Sequence, residues 1–174
     1  MVQALPLTLV HYRVRVLTGP ASARIPRADQ SPAAADLLDA LRRETGVAEG
    51  PSSKSHSRVV VAAALAERGR LGIDVEYCDA GRDLAGLSRY LLGADAALHV
   101  AAFYRLWTFH EAYFKAFGVA SDRALRRAVL EARAPLGEPV EVASGVRVMH
   151  AAPVDGFVLS WVWSDDNAPP LACM

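Results

Sequence analysis

Eight consecutive apolar residues, "VVVAAALA" from Val59 to Ala66, constrain this chain more than any other feature. The run is far shorter than the ~18 apolar residues of a membrane-spanning helix. The β-branched valines and the short Gly-containing turn "ERGR" after the run favour a strand. A strand without polar alternation must be covered on both faces. The next segment, "LGIDVE", does alternate, with Ile73 and Val75 on one face and Asp74 and Glu76 on the other. The spacing predicts a hairpin whose first strand is wholly buried.

Such a strand needs layers around it. Residues 7–17 read as a strand, and "GPASARIPRADQSP" as a loop rich in Gly, Pro and Ser. Asp36 to Thr45, "DLLDALRRET", has helical spacing and ends at Gly46, while "GVAEGPSSKSHS" reads as a second loop. From Leu84 the pattern is helical through "LAGLSRYLLG" and "DAALHVAAFYRLWTFHEAYFKAFG", as a helix pair or one broken helix. After "LRRAVLEARAPLGEP" come the strand-like "VEVASGVRVMHAAPV" and "FVLSWVWS", joined through Asp155-Gly156, and a loose tail "DDNAPPLACM". The order predicts an α+β fold, antiparallel strands packed with helices in one compact unit over 1–174, whose second half repeats the first.

Composition removes several classes of function. Net charge is zero, so the molecule as a whole offers no basic field for nucleic acid, and a ligand's charge has to be met locally. Cys78 and Cys173 are too few for a disulfide framework and suit a reducing compartment. No membrane span and no basic leader are read, which makes a cytoplasmic protein the expectation.

Three segments carry residues able to do chemistry. Asp74 and Glu76 are two apart on a strand, roughly 6.5 to 7 Å at the backbone, and can converge on one hard cation. On their own they read equally as the solvated face of a strand. Glu111 and Lys115 are i,i+4 neighbours, ordinarily a surface pair. Here Trp107, Phe109, Tyr113, Phe114 and Phe117 surround them, and a helix apolar nearly all round is buried or lines a pocket. In "SKSHS", His56, the hydroxyls of Ser55 and Ser57, Lys54 and Arg58 form a compact set of anion donors at the mouth of the buried strand.

Taken in order, "SHS", the buried strand and turn leading to "GIDVE", and "W-T-x-x-E-A-x-x-K-A-x-G" resemble the 4′-phosphopantetheinyl transferase superfamily. The closer likeness is to its pseudodimeric type, and it is good from about Ser55 to Gly118. The resemblance implies two related α/β halves, roughly 1–78 and 79–174. It implies transfer of the phosphopantetheine arm of coenzyme A to a serine of an acyl or peptidyl carrier protein, by a monomer that requires Mg²⁺. Asp74, Glu76 and Glu111 would be the metal ligands, Ser55 and His56 would meet the 3′-phosphate end, and Lys115 the phosphates near the reacting centre. Glu111, Lys115 and His110 form the implied catalytic set, with Glu111 acting as base directly or through a water.

Two departures stand out. The family usually has lysine where this chain has His110, an imidazole that is a weaker phosphate partner but can serve as a base. The stretch between "DLLDALRRET" and "SHS" is also shorter than usual. Both favour the alternative of a non-catalytic carrier-protein or nucleotide-binding descendant, whereas the intact acids and Lys115 favour the enzyme.

Overall fold

A computed structural model describes residues 10–93 and 97–165. The fold is α+β, with antiparallel strands in two sheets and four helices among the described residues. In chain order the elements are β1 (Val10–Val16), α1 (Arg27–Thr45), β2 (Ser52–Ser57), β3 (Val60–Ala66), β4 (Arg70–Tyr77), α2 (Leu84–Leu92), α3 (Val100–Phe117), α4 (Arg123–Ala132), β5 (Val140–Ala143), β6 (Val146–Ala151) and β7 (Phe157–Ser164). The start of the expected first strand, residues 7–9, and nearly all of the tail lie outside the described residues.

The apolar run is the central strand of the first sheet, in the order β1-β3-β2. Its alternate side chains serve two cores. Val61, Ala63 and Leu65 meet Leu37, Leu38 and Leu41 of α1. Val60, Ala62, Ala64 and Ala66 meet Ile73, Val75, Leu159 and Trp161 of the second sheet. Coverage on both faces is what the unbroken apolar run demanded.

The expected hairpin does not form. Both edges of β3 are taken, by β1 and by β2, so β4 has no edge to pair with and opens a second sheet, β4-β7-β6-β5. The turn at 67–69 carries the chain from one sheet to the other. β2 lies in a segment that reads as loop, because its serines have weak strand preference and carry no apolar alternation. α1 likewise begins nine residues before Asp36, with Pro32 inside it. Pro32 and Ala28, whose carbonyl loses its helical partner, are both exposed, so water can satisfy that carbonyl.

The second half follows its pattern more closely. The helical stretch resolves into a pair, α2 closed at Gly93 and α3 capped by His99, whose Nδ1 accepts from the Ala102 amide. β6 and β7 pair antiparallel, with Met149 opposite Trp161, across a turn containing Asp155-Gly156. The two sheets are wired alike: a first strand, helical structure, and a hairpin whose last strand returns beside the first. α3 covers the polar and valine-bearing face of β4 and β7, and it approaches most closely at Gly72. A Cβ there would stand 1.9 Å from the Ala112 carbonyl oxygen.

Candidate functional site

The serines of "SSKSHS" join the two sheets. β2 and β4 belong to different sheets, yet the hydroxyls of Ser53, Ser55 and Ser57 accept from the backbone N–H groups of Ile73, Val75 and Tyr77 at 3.1, 3.2 and 3.1 Å. An edge strand turns every second amide outward, and S-x-S-x-S offers one hydroxyl for each. Two of those hydroxyls pass their protons onward. Ser55 donates to Asp74 Oδ1 at 2.8 Å and Ser57 to Glu76 Oε2 at 2.9 Å. The seam therefore fixes both acids of "GIDVE".

Lys115 reaches this seam from α3. Its ammonium donates to Asp74 Oδ1 at 2.8 Å and to the Ile73 carbonyl at 3.0 Å. Its ion pair is thus with Asp74, across to β4, instead of with Glu111 one turn back along the helix. Close approach at Gly72 makes that reach possible. Ser55, Asp74 and Lys115, drawn from three separate motifs, are in direct contact.

Asp74 is buried at 6% exposure, and its Oδ2 has no hydrogen-bond partner. Burial raises its pKa, opposed by Lys115, Ser55 and the Val75 amide. Burial and then the Asp74 charge raise Glu76, and the same two causes raise Glu111. Both glutamates therefore feel the Asp74 charge. Trp107 Nε1 lies near enough to Glu76 to favour its charged form, without making a full hydrogen bond to it. Arg82 stacks over the Trp107 ring at 4.6 Å and attracts Glu76 and Glu111.

Such a cluster suits a hard cation, because it offers carboxylate oxygens, one of them buried and unpartnered, with too little positive charge nearby. As the side chains lie, no three of His, Cys, Asp or Glu among the described residues stand close enough to enclose an ion. Lys115 occupies the Asp74 oxygen that faces it.

A carboxyl with a raised folded pKa contributes unfavourably as pH climbs through the window between its ordinary and its raised value. Glu111→Gln is therefore expected to melt at a higher temperature than the parent near neutral pH. The gain should shrink as pH falls and the parent's Glu111 takes up its proton. An unchanged midpoint at neutral pH would mean that Lys115 and Arg82 already compensate Glu111 fully.

His56 and Ser55 leave β2 on opposite sides, as neighbours in a strand must. His56 lines a cavity of about 310 Å³ with Arg24, Gln30 and Arg58. Its pKa is lowered by burial and by Arg27. A second cavity, of about 290 Å³, shares Arg24, Ser57 and Arg58 and continues to Glu76 and Arg82. Together they make a groove with Arg24, Arg58 and Arg82 along its length, Asp79 paired with Arg58 at 3.3 Å, and Glu76 of the acid cluster at one end. Arg24 stands in a loop with no periodic signal, and only the fold brings it here.

His110 is held elsewhere. It is buried, its Nδ1 lies 2.8 Å from Ser121 Oγ, and its ring packs against Tyr90 and Trp107. At 100° per residue it lies roughly 140° around α3 from Lys115. Burial and Arg126 lower its pKa, so it sits as a neutral imidazole beside α4. Arg126 itself is spent on structure, donating to the Leu91 and Ser121 carbonyls.

In comparisons with known proteins, no family model matches the chain and no curated protein matches it.

Proposed function

We propose that the protein is a 4′-phosphopantetheinyl transferase that uses coenzyme A and modifies a serine of an acyl or peptidyl carrier protein. The observation that carries this reading is the contact of Ser55, Asp74 and Lys115 beside Glu76, the acid that lines one end of an arginine-bearing groove. A pyrophosphate substrate with a further phosphate needs cationic contacts along a groove, and Arg24, Arg58 and Arg82 line it to supply them, with His56 as a neutral hydrogen-bonding partner.

In the reaction a new bond forms between the carrier serine oxygen and the β-phosphorus of coenzyme A. The bond from that phosphorus to the bridging oxygen breaks, and adenosine 3′,5′-bisphosphate leaves with the electron pair. Asp74, Glu76 and Glu111 would hold Mg²⁺, which neutralises pyrophosphate charge. Lys115 is within reach of the same phosphates once it releases Asp74. Glu111 is the group to accept the serine proton, directly or through a water; without a metal, burial and then Asp74 raise its pKa. His110 takes no part in this arrangement and stabilises the α3–α4 junction.

The common wiring of the two sheets supports a two-half architecture for the same reading. On that reading the halves divide at the turn 67–69, between β3 and β4, instead of after residue 78. One observation favours a second reading, a non-catalytic nucleotide-binding descendant: Lys115 already neutralises Asp74 without an added ion.

Mass spectrometry separates the two. With Mg²⁺, coenzyme A and a panel of apo carrier proteins, a carrier is expected to gain the mass of one phosphopantetheine arm. Measurable coenzyme A binding with no mass gain on any carrier selects the binding module. Neither binding nor transfer removes both.

A further inference from the structure

A further cavity, of about 500 Å³, lies apart from the groove, between α3, α4 and β6. Ala102, Val129 and Leu130 form its apolar side, and Arg105, Arg133 and His150 its polar side. Among the described residues, no carboxylate lines it. A partly open pocket with two guanidinium groups and no acid among the described residues is complementary to an anion, and its aliphatic wall suits a hydrocarbon more than a second charged group.

The hydroxyl network behind His150 fixes how the imidazole meets that space. Thr108 has one hydroxyl proton and gives it to the Tyr104 carbonyl at 2.8 Å. Ser160, 2.6 Å from Thr108 Oγ1, must then be the donor of that pair. Its oxygen, 2.7 Å from His150 Nδ1, therefore accepts from the imidazole. His150 carries its proton on Nδ1, and Nε2 is left as a bare acceptor with no partner among the described residues. The residue is only 2% exposed, yet it lines the cavity. Burial and then Arg105 lower its pKa to about 4, so the ring is neutral at physiological pH. The charged and titratable groups around it are Arg105 on α3, His99 before α3 and Arg133 after α4.

We propose that this cavity binds an aliphatic carboxylate, with the carboxyl group between Arg105 and Arg133, the hydrocarbon chain along Val129 and Leu130, and one proton taken up at His150 Nε2. The proton comes from solvent, and no bond other than N–H forms. The bare nitrogen would repel an anion, whereas the protonated ring donates to it. Binding and protonation are therefore coupled, and affinity rises as pH falls while the ligand stays ionised.

Isothermal titration calorimetry of the full chain with octanoate tests this, run near pH 6 in two buffers of different protonation enthalpy. Saturable heat, differing between the buffers by the amount expected for proton uptake, is the expected result. Arg105→Met keeps the alkyl stem and is expected to weaken octanoate binding about tenfold or more. His150→Gln is expected to bind without the buffer dependence. Absence of saturable binding, identical heats in both buffers, equal binding of octylammonium, or unchanged affinity in Arg105→Met would each overturn the proposal. Should His150→Gln fail to fold, the buffer pair and Arg105→Met decide alone.

Discussion

Asp74→Asn is expected to fold and to lose phosphopantetheine transfer by about a thousandfold or more. Two opposing effects set the outcome for stability. Asparagine removes a charge that burial disfavours, and its side-chain oxygen can still accept from Ser55. It also leaves Lys115 without its counter-charge, but Lys115 keeps the Ile73 carbonyl and is partly open to water. Neither effect dominates, so the melting temperature should move little. Function has no such compensation. A neutral amide cannot balance a cation beside Glu76 and Glu111, nor form an ion pair with Lys115. Carrier mass shift measures the loss, and circular dichroism with thermal melting checks the fold. Full transfer by Asp74→Asn would remove Asp74 from the metal set and leave only the groove.

Gly72→Ala is expected to destabilise the protein by about 3 kcal/mol, the upper range of ordinary overpacking. For a chain of this size that lowers the melting temperature by roughly 6 to 12 °C. The added methyl would stand 1.9 Å from the Ala112 carbonyl oxygen and 2.9 Å from the Ala116 nitrogen. Both obstacles are helix backbone, which cannot rotate aside as a side chain would. Relief requires α3 to move away from β4, and Lys115 and Glu111 move with it. Thermal melting reads the first effect, and coenzyme A affinity the second. A melting temperature within about 2 °C of the parent would show that the helix can withdraw at little cost.

The sequence made the central strand legible because eight apolar residues leave few alternatives, and the alternation in "GIDVE" assigned Asp74 and Glu76 to one face. The glycine, aspartate and helix signals of the second half also held, since those elements follow local spacing. What stayed hidden was non-local. β2 is a strand because β3 offers an edge and β4 offers amides, facts that lie in partners and not in the serines. The hairpin reading of β3 and β4 failed for the same reason, as a short turn does not reveal that both edges of β3 are occupied. Pro32 masked the first turns of α1 because its tolerance depends on exposure. In the candidate site, the acids and Lys115 were legible as residues, but the choice of Asp74 over Glu111 as the lysine's partner depends on how closely α3 lies on β4. His110 shows the converse. Its position in the motif suggested chemistry, and its surroundings give it a packing role.

The serine seam has a consequence for how the molecule behaves among its neighbours. An uncovered sheet border is a template for another chain, and proteins commonly blunt it. Here the outer amides of β4 are already bonded by Ser53, Ser55 and Ser57, so that border is closed to an incoming strand. On the far side of the first sheet, β1 presents Arg13 and Arg15 along an exposed margin. At the far side of the second, β5 is four residues long and its register shifts between Glu141 and Ala143. Three different devices thus guard the borders against self-association. The row of hydroxyls, two of which orient the acids, also keeps a valine- and tryptophan-rich pair of sheets from adding a neighbour.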